Sequence, residues 1–401
     1  MPVELVDLEL TGSAELPDVS IQYDRVRAVI RIDGAPIGTV TSPYRGADLD
    51  REALVGSALD RYGERIWARL AAQGTSRFSG GDAPPRITAV VCTRDRPDAL
   101  DGCLEALGSQ RYPCYETLVV DNASAGDETR LVTERHGARY VREARPGLDW
   151  ARNRGLAEST SPIVAFTDDD ARPEAGWLAA LARGFASPDV LAVTGLVLPA
   201  ELATGAQILF EDVYGGMGKG FEPRVFTRRG RSMGYQPEHH GVGCNMAFRR
   251  AAIVSLGGFD PALDVGTATG GGGDLDAFQR LIETDGAILY RPDAVVRHVH
   301  RRSLGALRRQ LFDNGRAYSS VLFAALLRAR GSERPRVVVR YWRWIVSWHL
   351  RRIVRRLLRR EQLPMGLLLT ELAGAPLGPV VYLRARRIAR RRGGPTREPS
   401  G

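Results

Sequence analysis

The sequence predicts an α/β chain built around a doubly wound sheet, with a small α+β unit in front of it and an arginine-rich helical segment behind. Three observations carry that prediction. Short apolar runs of the buried-strand type recur at ITAVVCT (87 to 93), ETLVVD (116 to 121), ARYV (138 to 141) and PIVAFTD (162 to 168). Helical stretches begin between them near Pro97, Asp127 and Gly147, and this alternation is the pattern of βαβ units. Polar residues gather just past the strands, where such sheets bind ligands: Thr93 to Arg96, Asp121 to Ser124 and Asp168 to Asp170.

Taken in order, residues 1 to 80 read as a small α+β unit. VELVDLEL and VRAVIRIDGAPIGTV are extended, and the Asp33-Gly34 pair inside the second makes a hairpin turn. A helix is expected over Arg51 to Gln73, with Leu54, Ala58, Tyr62, Ile66 and Leu70 on one face. Gly74 to Pro85 is rich in Gly, Ser and Pro and reads as a linker. The α/β domain follows over residues 86 to 325. Its second half carries Gly-rich loops at 214 to 220 and 266 to 273, of the length and kind that serve binding. A helical pattern resumes at Ser303, and residues 330 to 401 form an Arg-rich helical segment.

Composition bounds the function. With 401 residues, 44% apolar and 26% charged, the chain can bury a full-sized core, which excludes the disordered and fibrous classes. The net charge of +9 hides an asymmetry, because residues 301 to 401 hold 24 Arg against 5 Asp and Glu, leaving an acidic body. Four cysteines without a C-x-x-C pair are expected as reduced thiols. The opening MPVELVDLELTG lacks the basic start and apolar run of a secretory signal, so a cytoplasmic place is expected. The stretch Leu363 to Leu383 contains Glu371, three prolines and three glycines, which favours a surface-lying segment over a spanning one.

Asp168, Asp169 and Asp170 place three carboxylates at one strand end. Like charges this close repel, and a site that keeps them ionised generally holds a cation; hard oxygen ligands suit Mg²⁺ or Mn²⁺. Taken alone, the triplet fits a solvated turn or a helix N-cap equally well. Three polar strand ends converging on one edge point instead to a nucleotide pocket, with Asp121 accepting from base or ribose and arginine taking a diphosphate. Neither G-x-x-x-x-G-K-[ST] nor G-x-G-x-x-G is present, which speaks against a P-loop NTPase or a Rossmann dehydrogenase.

VVCTRDRPDALDGCLEALGSQRYPCYETLVVDNAS, RPGLDWARNRGLAES and IVAFTDDDARPEAGWL resemble the successive motifs of family 2 glycosyltransferases, which have the GT-A fold. The resemblance covers residues 86 to about 325. It implies a nucleotide-sugar donor, a divalent metal on Asp168 and Asp170, base and ribose contacts from Thr93 and Asp121, and donor contacts from Arg96, Arg152, Asn153 and Asp168. GCNMAFRR, LGGFDP and GGGGDLDAFQRL resemble the acceptor-side strand and the helix that opens with the catalytic acid. Many relatives have Glu-Asp where this chain has Gly273-Asp274, which puts the base on Asp274. Read from the residues alone, Asp274 fits an N-cap or first-turn acid at a helix dipole better than a catalytic one. The resemblance also makes His298 a candidate metal ligand, with His300 second; His239 and His240 fall in a polar loop near acceptor or solvent.

The mechanism so implied is inverting transfer, and the absence of QxxRW argues for one sugar at a time. Expected partners are the donor, a glycan, lipid-linked or small-molecule acceptor, and an anionic membrane surface met by Trp342, Trp344, Trp348 and the arginines of 336 to 360. Nucleic acid is disfavoured because aromatics and aliphatics interrupt the basic run. Two alternatives stay open: a sugar nucleotidyltransferase, and a non-catalytic membrane- or nucleic-acid-binding protein. So does packing of the Arg-rich helices on the catalytic domain.

Overall fold

A computed structural model describes residues 2–12, 23–44, 49–72, 83–228, 237–331, 333–360 and 362–393 of the chain. Most of the expected linker, residues 74–82, lies outside the described residues, as does Gln73 at the expected end of the helix before it.

The first unit is a three-stranded sheet of β1 (Val3–Glu9), β2 (Arg25–Ile32) and β3 (Ala35–Pro43), covered by α1 (Arg51–Ala72). β2 and β3 form the expected hairpin, with Asp33 and Gly34 both at positive φ, as a two-residue turn matched to strand twist requires. Leu54 and Ala58 of α1 pack on Val26, Ala28 and Ile30. Two arginines tie this unit to the rest: Arg31 reaches Asp7 (2.7 Å) and Glu174 (2.6 Å), and Arg297 reaches the same two carboxylates at 2.8 and 3.1 Å.

Among the described residues, nine strands make the main sheet: β4 (Ile87–Thr93), β5 (Tyr115–Asn122), β6 (Arg139–Glu143), β7 (Ile163–Asp168), β8 (Ala171–Pro173), β9 (Val190–Pro199), β10 (Arg224–Phe226), β11 (Met246–Arg249) and β12 (Ala287–His298). Their order is β10-β12-β9-β11-β7-β4-β5-β6, with β8 on β12. β7, β4, β5 and β6 run parallel, whereas β11 is antiparallel to both neighbours, so the sheet is mixed.

Every residue of β4 is buried, and alternate residues serve opposite faces. Val90 joins Val120, Phe166 and Phe248 under α4 (Leu148–Glu158), while Ala89 and Val91 face α2 (Pro97–Gly108) and α5 (Trp177–Gly184). α3 (Glu128–Arg135) follows β5.

Past β9 the chain forms α6 (Gly205–Ile208), a π-helical turn over Leu209–Tyr214, α7 (Arg250–Ser255) and α8 (Gly273–Glu283). The C-terminal part is helical: α9 (Leu304–Arg328), α10 (Glu333–Arg343), a second π turn over Trp344–Leu350, α11 (Arg351–Leu357), α12 (Met365–Gly374) and α13 (Gly378–Arg391). Residues Met365–Arg391 are long and apolar enough to cross a membrane by length and composition. Here they pack on α9 at backbone distance. A Cβ on Gly315 would lie 2.0 Å from the Glu371 carbonyl, and one on Gly374 would lie 2.2 Å from that of Phe312. Only glycine permits so close an approach.

Candidate active site

β4 lies between β7 and β5, with Cys92 opposite Asp168 and Thr93 opposite Asp121, so the three polar strand ends converge. The loops after β4 and β5 are laced together: Asp95 Oδ1 accepts from the Ala125 amide (2.7 Å), and Ser124 Oγ accepts from the Asp95 amide (3.0 Å). These bonds hold Asp95 and Ala123 at φ of 53° and 59°, a region that costs a residue with a side chain on the order of 1 kcal/mol.

The aspartate triplet divides its work. Asp169 turns to β4, accepting from Thr93 Oγ1 (2.8 Å) and Arg96 (2.5 Å); burial pushes its carboxyl up to about 6, against the pull of Arg96. Asp168, Asp170 and His298 present ligand atoms all within 4.8 Å of one another. Asp170 meets His298 Nε2 at 3.2 Å and Arg96 at 2.9 Å, and despite burial these neighbours hold it far below the carboxylate range. Two carboxylates and an imidazole form a donor set that suits a divalent transition metal, so these residues fit such an ion.

The remaining expected residues fall into distinct places. Asp121 is fully buried and takes donors from the Ser124 amide (2.8 Å), Tyr140 OH (2.6 Å) and Arg142 (3.0 Å), which leaves about one of its roughly four acceptor sites. Arg96 forks across Asp169 and Asp170. Buried Arg152 lies 3.0 Å from Asp149 Oδ1 and 4.0 Å from Asp168. Asn153 departs from expectation: its amide clamps the Phe259 backbone from both sides (2.9 and 2.8 Å) and does not line the cavity described next.

A cavity of about 770 Å³ opens beside this donor set, with Asp149, Arg152, Asp168 and Asp274 in its lining. Asp274 is the second residue of α8, and its Oδ1 accepts from the Leu275 amide (2.9 Å). Its neighbour Asp276 is buried and paired with Arg280 (2.7 Å) and Arg328 (2.6 Å). Arg152 and Asp274 face each other across Gly243, whose added Cβ would lie 2.6 Å from Arg152 Nη2 and 3.0 Å from Asp274 Oδ2.

Two features of this cavity escape the sequence argument. Lys219, the chain's single lysine, sits in the glycine loop GGMGKG and lines the cavity; burial lowers its pKa while Asp274 opposes the shift. Its singularity in a chain of 56 basic residues was the available signal. The second is that Trp344, Trp348 and Glu371 complete the lining with Tyr214 and Tyr318, so the Arg-rich helices form a wall of the cavity. Glu371 accepts from Tyr214 OH (2.9 Å) and Trp348 Nε1 (3.1 Å), and burial pushes it up to about 7. Of the loop histidines, His239 lines the cavity, but His240 is buried against Phe226 and pushed down to about 4 by that burial, so the expected contact with acceptor or solvent does not hold for it.

Residues 88–257 match the model of glycosyl transferase family 2. The pre-mycofactocin glycosyltransferase of Mycobacterium tuberculosis is 28% identical over 306 residues, covering 73% of this chain and 61% of that protein. The glucosyl-dolichyl phosphate glucuronosyltransferase of Haloferax volcanii is 26% identical, covering 53% of this chain and 69% of that one. The chain thus spans about three fifths of the length of the first of these relatives. Among solved structures, the mannosyltransferase PcManGT of Pyrobaculum calidifontis, in complex with GDP-Man and Mn²⁺, aligns over 84% of this chain and 96% of that one, at 18% identity and a TM-score of 0.47.

Proposed function

We propose that the chain is a family 2 glycosyltransferase of the GT-A fold, a reading supported by the family match over residues 88–257, and that it transfers a single sugar, with inversion, from a nucleoside-diphosphate donor to an acceptor hydroxyl. The observation that carries the reading is the placement of Asp168, Arg152 and Asp274 in one cavity beside Asp170 and His298. The sugar nucleotidyltransferase and non-catalytic alternatives give way to the family match.

In this reading Asp168, Asp170 and His298 hold Mn²⁺ or Mg²⁺. When bound, the ion neutralises charge on the donor diphosphate. Thr93, Asp121 and Arg96 serve the nucleoside side of the donor. Asp274 takes the proton of the acceptor hydroxyl as its oxygen bonds to the anomeric carbon. The bond from that carbon to the diphosphate breaks with its electron pair on the leaving oxygen, and Arg152 and Lys219 stabilise the charge that develops there. Asp276, already neutralised by two arginines, leaves Asp274 as the carboxylate of this helix start that faces the cavity. The aromatic wall of Tyr214, Tyr318, Trp344 and Trp348 suits an acceptor with an apolar face, whether glycan, lipid-linked or small molecule.

We place this reaction at the cytoplasmic side of an anionic membrane. Val338, Trp342, Val346, Leu350, Val354 and Leu358 repeat every four residues and are all exposed, with exposed Arg343, Arg351 and Arg355 between them. The π turn at Trp344–Leu350 adds a residue to the turn and helps keep that spacing on one side. An apolar stripe flanked by arginines suits a helix lying in the interface plane, and each basic residue near an anionic leaflet contributes about 1 kcal/mol.

The test is a screen of UDP-, GDP- and dTDP-sugars for Mn²⁺-dependent release of sugar, with the anomer of the first product read by proton NMR. Release with inverted configuration from one donor class supports the reading; retention of configuration would overturn the mechanism, and no release from any donor would overturn the donor assignment.

A further inference from the structure

We propose that His300 and Glu211 are a positioning pair that fixes the tautomer of His298 and presents its Nε2 to the metal group. The inference rests on the reading of Asp168, Asp170 and His298 as metal ligands.

Four side chains stand in a line. His298 Nε2 is 3.2 Å from Asp170 Oδ1, His298 Nδ1 is 3.3 Å from His300 Nδ1, and His300 Nε2 is 3.1 Å from Glu211 Oε2. An ionised carboxylate only accepts, so Glu211 requires a proton on His300 Nε2. A neutral imidazole carries one N–H, which leaves His300 Nδ1 with a lone pair. That lone pair faces His298 Nδ1, which therefore carries the proton and donates. His298 Nε2 is then left with its lone pair directed at the metal group, as a ligand requires. This assignment is that of the site with a cation bound at Nε2, which removes the clash between that lone pair and the Asp170 carboxylate; the opposite arrangement sets a lone pair of His300 against Glu211 and aims an N–H of His298 where a ligand atom is needed.

The surroundings hold this line in place. His300 is buried, and the Phe210 ring meets its ring edge-on at 4.9 Å. Glu211 belongs to the π turn Leu209–Tyr214, a widened turn of the kind found at functional sites. Below it the chain returns through Gly216, where a Cβ would come within 2.3 Å of Glu211 Oε2; glycine leaves the carboxylate its room.

The test uses the full chain. In ¹⁵N-histidine-labelled protein loaded with Zn²⁺ as a diamagnetic probe, ring ¹⁵N shifts should show His300 with its proton on Nε2 and a proton on His298 Nδ1. Free Mn²⁺ followed by EPR should show His300→Phe, which keeps the ring packing, weakening Mn²⁺ binding about tenfold or more, the range for loss of a residue that orients a ligand. His300→Gln, whose amide can accept from His298 and donate to Glu211, should stay within about threefold of the parent, a rescue that a packing role would not give. Glu211→Ala should weaken binding as His300→Phe does. Unchanged Mn²⁺ affinity in His300→Phe, alongside weakened affinity in His298→Ala, would overturn the relay alone. Unchanged affinity in His298→Ala would overturn the metal reading beneath it.

Discussion

Asp149 fills the space that a side chain on Gly273 would need: a Cβ built on Gly273 would lie 1.7 Å from Asp149 Oδ2. That oxygen is buried and, among the described residues, has no hydrogen-bond partner, while Oδ1 holds Arg152 at 3.0 Å. Burial raises the Asp149 carboxyl, Asp264 adds to the rise, and Arg152 opposes it. At the position before Asp274 this chain has glycine, and α4 brings the Asp149 carboxylate into the space a side chain there would take.

The contact makes Gly273→Ala a severe change. Overpacking of this kind costs about 1–3 kcal/mol, so urea unfolding should show a loss in that range. Combined with Asp149→Ala, which empties the space, the same methyl should cost little, giving a coupling energy of about 1 kcal/mol or more. Strictly additive effects would mean the two residues do not share the space.

The three aspartates of the triplet should separate by phenotype. Asp168→Asn and Asp170→Asn should each abolish metal-dependent nucleotide binding in calorimetry with little change in unfolding. Asp169→Asn should instead keep metal binding and lose stability, because its bonds to Thr93 and Arg96 join β4 to β7. Equal metal loss in all three would contradict the division.

Glu371 should leave a pH signature on stability. Its carboxyl is raised from 4.5 to about 7, with burial as the largest cause. Between those values the unfolded chain gives up its proton while the folded chain keeps it, so stability falls as pH rises from about 4.5 to 7 and the effect is constant above that. The shift corresponds to at most ~3 kcal/mol. Glu371→Gln should therefore gain Tm relative to the parent on going from pH 5 to pH 8. A parallel pair of Tm profiles would contradict the raised carboxyl.

Membrane attachment is best tested on the outward stripe, since the same helices wall the cavity on their inner side and their removal would damage it. Val346→Glu with Leu350→Glu should abolish sedimentation with vesicles rich in anionic lipid, while sugar release in solution stays within about twofold. Undiminished sedimentation of the double variant would exclude this face.

The strand and helix sequence of the first half was legible because each buried strand is a short apolar run with a polar end, and β4 to β7 fall where those runs fall. The convergence of Thr93, Asp121 and the triplet followed from strand adjacency. What local sequence does not encode is partnership across long separations. Glu211 meets His300 from 89 residues away, Glu371 closes a cavity begun at Leu148, and Asn153 spends its amide on Phe259. Lys219 is a loop residue whose role appears only once the glycine loop folds over the cavity.

The central claim, that Asp274 removes the acceptor proton in a site assembled by Asp168, Asp170, His298 and Arg152, is tested most directly by Asp274→Asn. At saturating donor and Mn²⁺, the turnover of the donor found in the screen should fall by about 10²–10⁴ while donor affinity stays within about twofold, the signature of a lost base. Turnover within a few-fold of the parent would contradict the claim.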